Sequence, residues 1–174
     1  MDQYLGQTQD IMLGQEFLTW LWYSSEKTNG VFRLRDGQDI TIFVERRVSV
    51  QGGEGDNVET ATVSGAMSEL REAKLGLATG KKVNRALVRI ERDVEAWQTT
   101  LKSDDFTFSG FKTPAIESGK EDGDDPDAIF LEKIYLIERA LGFIDEVYRQ
   151  FLELRLGSRW IEEVKALRVW IEKG

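Results

Sequence analysis

The chain has 174 residues, a formal net charge of −8 and 41% hydrophobic residues, enough apolar surface for one domain core. It holds no cysteine and no histidine, which excludes disulfides, thiolate and imidazole metal sites and a cysteine nucleophile. Any catalysis is left to carboxylates, Lys, Tyr or Ser, and the acidic balance disfavours nucleic-acid binding over the whole surface while leaving room for a local basic face.

Met1-Asp2-Gln3-Tyr4 lacks the basic start and apolar core of a signal peptide, and no apolar run nears the ~20 residues that span a bilayer. A soluble, cytoplasmic protein with no membrane association is expected. From Leu13 to Tyr23 the spacing of Leu13, Phe17, Trp20 and Leu21, with Leu18 and Trp22 beside them, predicts a short, deeply buried helix. After Asn29-Gly30, two runs read as a β-hairpin, Val31 to Arg35 and Asp39 to Val50, turning at Asp36-Gly37. In the second run Ile40, Ile42, Val44, Val48 and Val50 share one parity, and Phe43 and Arg46 break the alternation.

The glycine-rich stretch 51–56 lacks the Gly-Lys-Ser/Thr ending of a phosphate loop and no helix follows it, so it reads as a connection to a strand over Val58 to Val63. Met67 to Ala78 reads as a helix ending at Gly80, Val83 to Ile90 as a half-buried strand, and Trp97 to Leu101 and Phe106 to Phe111 as further strands. The acidic loop from Glu117 to Asp127 does not follow the order of calcium-loop ligands. It reads instead as a helix start, with Asp125 as N-cap, Pro126 at the first position and Asp127 near the positive end of the dipole.

The long helix that follows repeats Phe130, Ile134, Ile137, Leu141, Ile144, Tyr148 and Phe151 at steps of four and three, with Leu136, Phe143, Val147 and Leu154 as a second stripe. Gly157-Ser158 breaks it before a last helix carrying Trp160, Ile161, Val164, Leu167 and Ile171. The expected fold is therefore α+β, a mostly antiparallel sheet covered by helices with a C-terminal helical hairpin. It forms one domain: a sheet-rich part over 28–116, the acidic loop over 117–127 and the hairpin over 128–172.

Chemistry is sparse in this pattern. Glu72-Ala73-Lys74 has the letters of a metal-dependent nuclease, but it falls on a helix, where it reads as solvated surface. No catalytic residue, metal ligand or cofactor is assigned. The basic residues are more informative, because Arg33, Arg35, Arg47, Arg85 and Arg89 fall on the parity opposite the apolar face of their strands, with Lys81 and Lys82 at the edge. Sharing one sheet, they would make a positive surface that contacts phosphates without reading bases.

The string Leu13-Gly14-Gln15-Glu16-Phe17-Leu18-Thr19-Trp20-Leu21-Trp22-Tyr23, the pair Gly80-Lys81, and Phe151-Leu152-Glu153-Leu154-Arg155 before Trp160 resemble a divergent branch of the recombination-associated protein family RdgC. The likeness runs over about residues 13–171 and corresponds to the C-terminal portion of longer relatives. It implies a nucleoid-associated, non-enzymatic DNA-binding protein, in a family whose better-known members dimerise into a ring around duplex DNA and restrain recombinase filaments. The expected partners are double-stranded DNA and a second copy joined through the helices. The competing expectation is a protein-interaction module that docks through the aromatic N-terminal helix or the heptad face, without nucleic acid.

Overall fold

The computed structural model describes residues 13–52, 59–64, 71–117, 123 and 125–173, and leaves the side chains at 46, 47, 59–64, 71 and 72 undescribed. The elements run α1 (Gly14–Lys27), β1 (Val31–Arg33), β2 (Asp39–Gly52), β3 (Glu59–Ser64), α2 (Arg71–Ala78), β4 (Lys82–Arg92), β5 (Glu95–Lys102), β6 (Thr107–Lys112), α3 (Pro126–Arg155) and α4 (Trp160–Lys173). The class is α+β, with a six-stranded antiparallel sheet ordered β1-β2-β4-β5-β6 and β3 added on β2. β1 lies along the first part of β2 and β3 along its last part, so both occupy one edge while β6 forms the other.

The parity of β2 holds: Ile40, Ile42, Val44, Val48 and Val50 are all buried, opposite Ile90, Val88, Ala86 and Val83 of β4. The irregularity at Phe43 to Arg46 has a physical cause. Between Val44 and Val48 the strand spends four residues where β4 spends two, from Val88 to Ala86, so a bulge absorbs the surplus and returns Val48 to the core face.

The helices pack on that core face. α1 lies directly on β2 and β4, and α3 and α4 close over its other side. Phe17 stacks edge-on against Tyr148 at 5.2 Å and meets Phe151 at 5.5 Å, while Trp20 lies between Phe32 and Phe151. Every residue from Glu16 to Ser25 is consequently buried. The aromatic N-terminal helix is thus at the centre of the core. Its start is fixed by a close approach: a β-carbon at Gly14 would collide with the carbonyl of Ser103 in the turn between β5 and β6.

The end of β1 differs from expectation. β1 stops at Arg33 because Leu34 leaves the ladder to close the turn, its amide donating to the Gln38 carbonyl at 2.7 Å, and Gly37 takes φ +80° there. The described part of α2 begins at Arg71, and residues 67–70 lie outside the described residues. The start of α3 is as expected, with the Asp125 carboxylate accepting from the Asp127 amide at 3.0 Å and Pro126 following it.

The heptad face of α3 needs correction. Its buried residues are Leu136, Ala140, Phe143, Ile144, Val147 and Phe151, so the second stripe supplies three of them and the expected seam only its C-terminal Ile144 and Phe151. Phe130, the first residue of the expected seam, is 63% exposed. The helix is apolar over more than half its circumference, and its neighbours choose the face: Trp97 of β5 donates its indole N–H to the Leu136 carbonyl at 2.9 Å and packs edge-on against Phe143 at 5.7 Å. No described helix is long and apolar enough to cross a membrane.

Candidate nucleic-acid interface on the open sheet face

With the helices on one side, no described helix covers the opposite face of the sheet. Its residues form cross-strand rows. One row runs Ser49, Arg85, Lys102, Thr107; the next holds Leu87, Thr100 and Ser109; a third runs Phe43, Arg89, Gln98, Lys112. Arg85 and Lys102 are direct cross-strand partners, which places their β-carbons about 5 Å apart. Like charges so placed repel, and an anion between them would relieve the repulsion.

The seven residues expected to form this face divide into four groups. Arg85 and Arg89 lie on it, both exposed. Arg85 has no acidic partner among the described residues. Arg89 is held between Glu45, at 3.5 Å, and Glu91, and its charge is therefore balanced. Lys82 opposes Gln51 at the end of β4 but is buried, and Lys81 is half-buried against Gly52. Neither presents a free ammonium surface.

Arg33 and Arg35 sit apart, at the β1–β2 turn beside α3. Arg33 pairs with Asp39 and donates to the Gly37 carbonyl at 2.9 Å; Arg35 reaches Glu153 at 3.7 Å, and its backbone amide donates to Glu146. Arg35 lies beyond the end of β1, and Arg33, its last residue, pairs with Asp39 on this edge strand, away from the rows of β4 and β5. Arg47 pairs through its backbone with Ser64, and its side chain lies outside the described residues.

Two basic residues that strand reading missed join Arg85. Lys102 shares the outward parity of β5 opposite Trp97, Thr99 and Leu101, a signal legible in the sequence once β5 is drawn to Lys102. It stands 3.8 Å from Asp104 and 4.0 Å from Asp105, loose enough to leave both acids largely in water. Asp105 is held below the ordinary carboxylate range chiefly by hydrogen bonding from Thr107, with Lys102 contributing less. Lys112, exposed at the end of β6, has no acidic partner among the described residues. The resulting band, Arg85–Lys102–Lys112, crosses the three strands of the β6 edge.

A second polar cluster lies on the helical side, where sequence reading expected only solvated surface. Glu26 of α1 accepts the Trp22 indole N–H at 3.0 Å, the Trp170 indole N–H at 2.5 Å and the Lys74 ammonium at 2.9 Å. Lys74 also lies 4.4 Å from the centre of the Trp170 ring, with 13% of its side chain exposed. Lys74, the last residue of the Glu-Ala-Lys, thus clamps α2 to α1 and α4. Among the described residues no three carboxylates gather in a way that would hold a metal ion. Comparison of the chain with protein-family models, with curated proteins and with solved structures finds no match.

Proposed function

We propose that this protein is a non-enzymatic, sequence-independent DNA-binding protein that contacts phosphates through the open face of its sheet, at Arg85, Lys102 and Lys112. The observation that carries this reading is the juxtaposition of Arg85 and Lys102 as cross-strand neighbours, Arg85 having no acidic partner among the described residues. Cations arranged this way on a flat surface suit a repeating anion, and phosphate contacts position a protein on duplex without reading bases. Hydroxyls at Thr100, Thr107 and Ser109 stand in the same rows and add neutral phosphate donors. The resemblance to RdgC-like proteins supports the same reading and adds an association with recombination. A filter-binding comparison of the wild type with R85E/K102E tests it: the charge-reversed protein is expected to retain its fold and lose duplex retention.

A second reading, an interaction module or homodimer joined through α3, is favoured by one observation. Phe130, Leu131 and Tyr135 are 63%, 63% and 58% exposed on the first turns of that helix, ahead of the point where it meets the sheet. Sedimentation of wild type and F130E/L131E at rising concentration separates the two: a concentration-dependent dimer lost in the variant supports self-association through α3.

A further inference from the structure

Where α1, α2 and α4 come together, the molecule carries an open cleft of about 370 Å³ whose walls include Tyr23, Val169 and Trp170 and whose lining charges are Lys27, Lys74 and Lys173. That volume is at the small end of the range for organic ligands. Among the described residues three lysines and no carboxylate line it, although the chain as a whole is acidic.

The three ammonium groups are not equally available. Lys74 is occupied by Glu26 and stacked on Trp170, so it fixes the cleft wall. Lys27 lies over the Tyr23 ring at 5.3 Å, and its nearest acid, Glu163 at 3.9 Å, already accepts the Trp20 indole N–H at 3.2 Å. Lys173, in the last turn of α4, has no acidic partner among the described residues. α1 and α4 both end at this place, and their carbonyl ends offset part of the lysine charge. Recognition here therefore combines apolar contact with charge.

We propose that this cleft binds a small organic anion, its flat apolar body lying against Tyr23, Val169 and Trp170 and its carboxylate, sulfonate or phosphate held by Lys27 and Lys173. Edge-on packing of Trp170 against Trp22 at 5.1 Å and Tyr23 at 5.7 Å keeps the aromatic wall rigid, so little ordering is required on binding. The site is separate from the sheet face, and its occupancy does not depend on DNA binding.

The test is a fluorescence titration of the whole chain with 1-anilinonaphthalene-8-sulfonate at low salt, beside the uncharged N-phenyl-1-naphthylamine. The expected result is one saturable sulfonate site per chain, about fivefold weaker in K27Q/K173Q, weakened also in V169E, and unchanged in F130E/L131E. The uncharged probe should bind equally to wild type and K27Q/K173Q. These lysines are exposed, so thermal melts of the double variant should match wild type. Absence of a saturable site, undiminished sulfonate binding in K27Q/K173Q, or loss of binding in F130E/L131E would overturn the assignment.

Discussion

Glu16 of α1 accepts the Nε–H of Arg155, at the end of α3, at 2.7 Å, although only 1% of the Glu16 side chain is exposed. Arg155 is less enclosed, at 24%, and its guanidinium lies 5.4 Å from the Trp160 ring centre. The pair joins the two ends of the helical layer through the middle of the core. Its partners are unequal, and so are the expected costs of removing them. Arg155→Met takes the guanidinium from a buried carboxylate and should destabilise the protein by about 3 kcal/mol, whereas Glu16→Gln leaves a guanidinium that reaches water and should cost about half as much. Urea unfolding of both variants and of the double variant checks the order; equal losses would contradict it.

The exposed and buried ends of the α3 heptad repeat make a second prediction. Phe151 is fully buried among Phe17, Trp20, Tyr148 and Trp160, so Phe151→Ala should cost about 3–5 kcal/mol. Phe130→Ala, at the head of the same heptad repeat, should stay within about 0.5 kcal/mol of wild type. Comparable destabilisation at the two positions would restore the seam expected from periodicity alone.

That contrast shows where sequence reading stops. The order of helices and strands was legible because glycines, the Asp125-Pro126 start and alternating parity are local signals, and each corresponds to an observed turn, cap or core face. Which face of α3 is buried was not, because a helix apolar over most of its circumference defers to the neighbours it meets, here Trp97 and α1. The string opening at Leu13 likewise has a physical content that periodicity does not express. Gly14 admits the Ser103 carbonyl, Glu16 meets Arg155, Trp20 meets Glu163 and Trp22 meets Glu26. Those partners lie up to 143 residues away. Of the expected basic face, Arg85 and Arg89 were placed by parity, while Arg35 falls beyond a strand that ends early, Arg33 sits on the edge strand paired with Asp39, and Lys102 was missed at a strand end.

The clamp at Glu26 supplies a third prediction. Lys74→Met keeps the stem and removes the charge, leaving Glu26 with the two indole N–H groups; a loss of about 1–2 kcal/mol is expected. A double-mutant cycle between Lys74→Met and Trp170→Phe should give a coupling of about 1 kcal/mol, measured by denaturant unfolding. Additive losses would mean that the ammonium and the ring do not act together.

Asp36, in the β1–β2 turn, is held below the usual carboxylate range, first by the Gln38 amide at 2.9 Å and then by Arg92 at 3.2 Å. A depressed folded-state value means that the stabilisation is present above the ordinary carboxylate value of 3.8 and is lost as pH falls through the folded-state value. Wild type and Asp36→Asn should therefore differ in melting temperature at neutral pH and converge under acid. A difference that persists unchanged at the acid end would remove the carboxylate as its cause.

The central claim is tested most directly by the salt dependence of duplex binding, followed by fluorescence anisotropy with wild type and R85E/K102E/K112E. Three phosphate contacts predict a log–log slope of about −2.7, so the wild type should bind at 50 mM salt and weaken roughly fortyfold by 200 mM. The charge-reversed variant should show no binding at either concentration while melting like the wild type. No wild-type binding at low salt, or equal binding by the variant, would contradict the assignment of the sheet face to a polyanion.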